Sequence, residues 1–245
     1  MEMLEKESLK LSVIMPCLNE ESTVGHCVDE AWEFMRKYMI NGEVLVVDNG
    51  SEDESASIAQ KHGARVIPEA KRGYGSAIRA GITASKGKVL IVGDCDTTYD
   101  FLHLEEIYQP LVEENCDMVI GNRYAGGIKP GAVSWSHRWG VRFLSLCART
   151  RFRTDVYDFH CGLRGLTREA AQTLDLHTEG MEFATEMVAE AVRCRLCITQ
   201  VPVALRKCEY KRLSKLRTVR DGFRHLIYII KNNNKKKYRR KKDEQ

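Results

Sequence analysis

The chain of 245 residues has no run of about 18 apolar residues, so no segment reads as a bilayer-crossing helix. Its first ten residues, Met1 to Lys10, are charged and lack an apolar core, and the expectation is a chain without a signal peptide. The nine cysteines follow no framework, which predicts reduced thiols in the cytosol rather than a disulfide scaffold. Cys194 and Cys197 have the spacing of a metal or redox pair, but no second pair follows, so ordinary packing is expected of them. Internal repeats are absent, and the only low-complexity segment is the basic end of the chain. That end has no aromatic interleaved among its Lys and Arg beyond Tyr238 and no reader motif, which argues against a nucleic-acid-binding module.

What is present is an ordinary apolar fraction of 43% and an uneven charge. The formal +4 divides into +12 from Arg206 onward, with 16 Lys and Arg against 4 Asp and Glu, and −8 for Met1 to Leu205. Such a basic end seeks phosphate, on an anionic membrane surface, a nucleic acid or a phosphorylated substrate. The length suits one large α/β domain, here residues 1–230 followed by a basic tail, 231–245.

Alternation of short apolar runs with helical spacing fills the first half. Leu11 to Pro16, Glu43 to Val47, Ala64 to Ile67, Val89 to Val92 and Met118 to Ile120 read as strands. Between them Ser22 to Tyr38, a helix opened by a Ser51/Glu54 capping box, Ala77 to Ser85 and Leu104 to Glu114 read as helices. This β-α alternation predicts an α/β fold with a largely parallel, right-handed, doubly wound sheet, whose ligands bind at the strand C-termini. Asn19, Glu20, Asp48, Asp94 and Asp96 all fall at that edge. The turn Lys71 to Ser76, with Gly73 and Gly75, precedes a helix and is expected to aim backbone N–H groups at an anion. In Lys88 to Asp96 a buried strand ends in Asp94-Cys95-Asp96, whose two carboxylates project together in extended chain. A D-x-D triplet arises by chance about once in a chain of this length. At a strand end, paired carboxylates call for a hard cation such as Mg²⁺ or Mn²⁺.

The second half is less periodic. Helices are expected at Ser136 to Arg149, with Trp139, Phe143 and Leu146 on one face, at Arg168 to Leu174 and at Glu182 to Val192, and strands around Ile198 to Arg206. A last amphipathic helix carries Val219, Phe223, Leu226, Ile227 and Ile230 opposite Arg220 and Arg224.

Over Leu11 to Ile230 the chain resembles the family 2 glycosyltransferases of GT-A fold. Pro16-Cys17-Leu18-Asn19-Glu20 resembles that family's P-x-x-N-E, Val46 to Asp53 its V-V-D-[DN]-G-S-x-D, and Asp94-Cys95-Asp96 its D-x-D. Gly121 to Tyr124, Cys161 to Gly165 and Arg217 to Gly222 resemble the polyprenyl- or dolichyl-phosphate branch. The resemblance implies a nucleotide-binding half of about 11–121, an acceptor half of about 122–230, and a nucleotide-diphosphate sugar as donor. It also implies Mg²⁺ or Mn²⁺ on Asp94 and Asp96, and a nucleotide pocket shaped by Pro16, Asn19, Glu20, Asp48, Ser51, Asp53, Gly75, Asp94 and Cys95.

Transfer of one sugar, with inversion, to a polyprenyl phosphate at the cytosolic membrane face is the expected reaction. Arg123, Arg138 and Arg164 are expected to grip phosphate, because guanidinium forks suit its oxygens, with Arg206, Lys207 and Lys215 behind them. An amphipathic helix and a Lys/Arg run would hold the protein peripherally on an anionic leaflet. A homo-oligomer is left open. If a hydroxyl accepted the sugar instead, Glu182 or Glu186 would serve as base. Leu18 stands where many relatives carry an aromatic, and Thr98 where the mannosyl enzymes offer Gln to the metal. A nucleotidyltransferase would differ in releasing pyrophosphate.

Overall fold

The computed structural model describes residues 9–133, 135–208, 210 and 218–232, with the side chains of residues 136, 137, 218 and 219 left aside. The elements are β1 (Leu11–Cys17), α1 (Val24–Lys37), β2 (Gly42–Asp48), α2 (Ser55–Lys61), β3 (Arg65–Pro68), α3 (Tyr74–Ala84), β4 (Val89–Val92), α4 (Glu105–Val112) and β5 (Met118–Asn122). They continue as α5 (Arg123–Gly126), α6 (Trp135–Phe152), β6 (Arg164–Thr167), α7 (Arg168–Thr173), α8 (Phe183–Arg193), β7 (Ile198–Pro202) and α9 (Thr218–Lys231). All four residues of β4 are buried, as expected of a strand covered on both faces.

One seven-stranded sheet runs in the order β3-β2-β1-β4-β6-β5-β7. Its pairs are parallel except those of β6, which is antiparallel to β4 and to β5. The ends of β1, β2, β4, β5 and β7 therefore point to one edge, and the loop entering β6 starts there too. That convergence brings Leu18, Asn49, Asp94, Arg123, Gly162 and Leu205 together from separate parts of the chain.

The mainly parallel α/β sheet is as the sequence predicts. Several local details differ. Strand β6 was not foreseen, because Arg-Gly-Leu-Thr offers a single large apolar residue; backbone pairing to both neighbours recruits it. The Ser51/Glu54 capping box does not form. Helix α2 opens at Ser55 after Glu54 without a side-chain cap, and Ser51 Oγ instead accepts from the Asn19 N–H. In α6 the face of Trp139, Phe143 and Leu146 turns outward, all three exposed, while Ser145, Ala148 and Phe152 are buried. Helix α9 behaves likewise, burying His225, Tyr228 and Ile229 and exposing Phe223, Ile227 and Ile230. Among the described residues no helix is long and apolar enough to cross a membrane.

The core is continuous beneath both halves. Phe34, Phe101, Phe152, Phe159 and Phe183 are its largest inaccessible side chains, and Phe152 and Phe159 stack at 6.3 Å.

Candidate active site

A cleft of about 960 Å³ opens at the common strand edge. One wall is made by Pro16, Cys17, Leu18 and Glu20 after β1, Asn49 after β2, and Arg72, Gly73 and Tyr74 at the start of α3. Hydrogen bonds between loops hold this wall. Asn49 binds the 69–73 turn through Nδ2 to the carbonyls of Glu69 (3.0 Å) and Lys71 (2.9 Å), and its Oδ1 accepts from the Gly73 N–H at 2.6 Å. Gly73 has φ +144° and a Cβ there would run into the Glu179 carbonyl, so the turn needs glycine.

Four residues expected around the nucleotide serve this scaffold. Asn19 Oδ1 accepts from the Glu52 N–H (2.8 Å), Asp48 Oδ1 from the Ser51 N–H (3.1 Å) and Asp53 Oδ2 from the Glu21 N–H (3.2 Å). Ser51 completes the clasp with Asn19. Pro16, Glu20 and Cys95 lie in the cleft wall, whereas Asn19, Asp48, Ser51 and Asp53 clasp the two loops that shape it. Gly75 departs from expectation. Its N–H donates to the Glu179 carbonyl at 2.8 Å, so the start of α3 is engaged by the protein's own backbone rather than presented to an anion.

Asp94 and Asp96 stand at the floor of the cleft, with Cys95 turned under them, where its Sγ donates to the Pro16 carbonyl at 3.2 Å. Tyr74 donates its hydroxyl to Asp94 Oδ1 at 3.0 Å. Burial, and then the Asp94 charge, push the Tyr74 hydroxyl well above its ordinary range, so it stays a donor. Asp96 Oδ1 accepts from both the N–H (3.0 Å) and the hydroxyl of Thr98. Thr98 therefore orients the second carboxylate. Gly162 packs its backbone on Asp94 so closely that a Cβ would overlap Oδ2, and its N–H donates to Tyr99 Oη at 2.8 Å. The sequence offered Gly162 only within a longer motif; its closeness to Asp94 comes from the β6 pairing.

Among the described residues no cluster of three or more His, Cys, Asp or Glu is disposed to hold a metal. Two carboxylates alone fit a hard cation that takes its remaining ligands from water and phosphate, as Mg²⁺ and Mn²⁺ do. They would not make a closed structural site.

The opposite wall comes from the second half. Arg123 is buried at the end of β5 and forks onto Asp158, Nε to Oδ2 at 2.7 Å and Nη2 to Oδ1 at 2.8 Å. Burial opposes its charge, but the Asp158 carboxylate outweighs that and holds Arg123 firmly protonated. Arg138 is exposed on α6. Arg164 does not reach the cleft: it is buried, and its guanidinium is taken up by the carbonyls of Cys161, Ala184 and Phe159. Arg206 is likewise paired with Glu30 and Asp100. Lys207 lies beside Gly131, and Lys215 lies outside the described residues.

Cations that the sequence did not single out for this role do line the cleft, namely Arg72, Arg220 and Arg224. Arg72, in the glycine-rich basic turn, was the legible one. Arg224 pairs through Nε with Glu182 Oε2 at 3.1 Å, and Glu186 accepts from the N–H groups of His177 (3.0 Å) and Thr178 (2.8 Å). Neither glutamate is a disengaged base. Within this wall, where His160 and His225 line the cleft, a polar chain links three helices: Ser145 Oγ to His160 Nδ1 (3.1 Å), His160 Nε2 to Thr185 Oγ1 (3.3 Å), and Thr185 Oγ1 to His225 Nδ1 (2.8 Å).

Residues 12–175 match the family model described as Glycosyl transferase family 2. The chain is 34% identical over 223 residues to the low-salt glycan biosynthesis hexosyltransferase Agl6 of Haloferax volcanii, covering 91% of itself and 53% of that protein. It thus spans about half the length of that relative. It is 31% identical to a dolichyl-phosphate beta-glucosyltransferase of Mus musculus, with 83% of this chain and 69% of that one covered. To a dolichyl-phosphate hexose transferase of Haloferax volcanii it is 29% identical, with 80% and 83% covered. Glucosyl-3-phosphoglycerate synthase from Mycobacterium tuberculosis, solved with Mn²⁺, uridine diphosphate and glucosyl-3-phosphoglycerate, superposes with a TM-score of 0.71. It covers 91% of this chain and 78% of its own at 22% identity.

Proposed function

The chain belongs to glycosyl transferase family 2, with the GT-A α/β fold and the enzymatic class that go with it, and on that premise we propose that it moves one sugar from a nucleotide-diphosphate sugar to a polyprenyl phosphate, with inversion, at the cytosolic face of a membrane. The observation that carries this reading is the meeting in one cleft of the Asp94–Asp96 pair and a set of cations, Arg72, Arg123 and Arg220. The first suits a metal-held diphosphate and the second a phosphate acceptor. Names of relatives support the acceptor class, two of them being dolichyl-phosphate enzymes. The donor and metal are supported by a neighbour solved with Mn²⁺ and UDP-glucose.

A divalent cation, when bound, would offset charge growing on the departing diphosphate, a Lewis-acid effect of several kcal/mol. Asp94 and Asp96 would hold it, their carboxylates fixed by Tyr74 and Thr98. Pro16, Leu18 and Glu20 would bound the nucleoside, with the Asn19, Ser51 and Asp53 clasp keeping that wall in place. A phosphate monoester is already anionic near neutral pH, with a second pKa around 6. Its oxygen can therefore attack the anomeric carbon without a protein base. Arg123, set at a fixed angle by Asp158, with Arg138 and Arg220 nearer solvent, would receive its charge. A hydroxyl acceptor would need a base, and both glutamates considered for that role are engaged elsewhere.

The test is direct. Protein, Mn²⁺, polyprenyl phosphate and a panel of UDP- and GDP-sugars should release nucleoside diphosphate with one donor, and only with the lipid phosphate present. Equal turnover on a plain alcohol acceptor would overturn the acceptor assignment.

A further inference from the structure

His225 on α9 is only 6% exposed, and what it exposes lines the cleft. Its Nδ1 is taken by Thr185 Oγ1 at 2.8 Å, and among the described residues no hydrogen-bond partner holds its Nε2. Burial, and then the charges of Arg164 and Arg224, push its pKa down to about 4, so the ring is neutral at physiological pH. This neutral imidazole is set in a wall to which the second half brings Arg123, Arg220 and Arg224 against Asp221 alone. His160 meets the ring edge to face at 4.5 Å, and the His160 N–H donates to Asp158 Oδ1 (3.3 Å), the carboxylate that holds Arg123. Hydrogen bonds thus run from His225 to Arg123 through Thr185, His160 and Asp158.

We propose that His225 is a binding residue for the acceptor, its Nε2–H donating to a phosphate oxygen that Arg123 and Arg220 attract into the same wall. The inference rests on the phosphate acceptor proposed above and adds a neutral group that recognises it.

The polar chain determines what Nε2 can offer. Thr185 has one hydroxyl hydrogen to place between two imidazoles. Where it goes to His225 Nδ1, the neutral ring carries its own proton on Nε2 and offers a donor to the cleft. Where it goes to His160 Nε2, His225 donates from Nδ1 to Thr185 and its Nε2 keeps a lone pair. An anionic oxygen selects the first arrangement, and no further charge is buried in making it. The guanidiniums supply attraction over a distance, whereas a single N–H on a ring packed between helices supplies direction.

Calorimetry without a sugar donor tests the assignment, one arm using a short-chain prenyl phosphate in detergent and the other UDP or GDP with Mn²⁺. Asparagine reproduces Nδ1 but is too short for Nε2, whereas a glutamine amide reaches it. His225→Asn should weaken prenyl phosphate binding about 10- to 100-fold, as loss of a hydrogen bond to a charged group does, and His225→Gln by about threefold or less. Nucleoside diphosphate binding should be the same in both variants as in the wild type. With isotopically labelled histidine, prenyl phosphate should move the wild-type His225 resonances to those of a neutral ring protonated on Nε2. Unchanged binding by His225→Asn, or an Nε2 that stays unprotonated in the complex, would overturn the proposal. So would equal weakening in both variants, which marks a structural role, or weakening confined to the nucleoside diphosphate, which places His225 on the donor. Wild-type protein that binds nucleoside diphosphate but no prenyl phosphate would overturn the acceptor reading and this inference with it.

Discussion

The two halves of the molecule solve the same problem, holding charged groups at a sheet edge, in opposite ways. On the side of β1, β2 and β4 the polar groups are exposed or half-buried and reciprocal: Asn19 with Ser51 and Glu52, Asp48 with Ser51, Asp94 with Tyr74. Each loop is fixed by its neighbour. On the side of β5, β6 and α9 the polar groups are deeply buried, as in Arg123 with Asp158 and Thr185 with His225. The first arrangement holds its loops by hydrogen bonds near the surface. The second fixes an arginine and two exposed helices around a buried ion pair, so damage there should reach the fold as well as the reaction.

The sharpest contrast is between activity and stability. Asp96→Asn removes a carboxylate charge from the proposed donor site but keeps the shape that Thr98 binds. Nucleoside diphosphate release should fall about 10³-fold, with the melting temperature unchanged. Loss of both together would erase the distinction between the halves. Arg123→Ala should do what Asp96→Asn does not. It leaves the Asp158 carboxylate buried without its partner, and chemical denaturation should show a loss of about 3–5 kcal/mol. Replacing both, as Arg123→Met/Asp158→Leu, should restore most of that stability without restoring transfer. Recovery of transfer would mean that Arg123 serves packing alone.

This contrast also sets what could be read from the sequence. Strands β1, β2 and β4 were legible because parallel strands buried on both faces are continuous apolar runs, and their polar motifs follow directly after them in the chain. The acids at the edge followed from the same pattern. Strand β6 was not legible, since its four residues carry no apolar pattern and owe their conformation to partners more than 40 and 70 residues earlier. Arg164 illustrates the limit: a cation in a motif is equally a phosphate ligand or a plug for three carbonyls, and only the fold decides. The outward stripes of α6 and α9 share that limit. Helical periodicity predicts an apolar face but not whether protein or something else covers it.

Titration separates the halves again, at smaller amplitude. His225 belongs to the polar chain in the second-half wall of the cleft, and burial, then Arg164 and Arg224, push its pKa down to about 4 from 6.5. The folded state therefore binds fewer protons than the unfolded one between these values. The stability this neutral imidazole supports is complete above pH 6.5 and is lost as pH falls toward 4, by about 3 kcal/mol over the window. His225→Gln, which cannot titrate, should flatten that part of the stability profile measured by urea melts at successive pH values. If the slope is unchanged, the buried chain from Ser145 to His225 is not what makes the second half sensitive to acid.

The smallest effect is expected where the apolar area is largest. Within α6, Phe152 is inaccessible and Trp139 is more than half exposed, although both are large aromatics on one helix. Phe152→Ala should cost about 3–5 kcal/mol, as core truncations do, whereas Trp139→Ser should stay within about 0.5 kcal/mol in water. Added anionic vesicles should reverse this insensitivity: ligands that bind only the folded state stabilise it, so wild-type protein gains melting temperature on vesicles and Trp139→Ser gains less. Equal gains would show that Trp139 makes no contact with the vesicle surface.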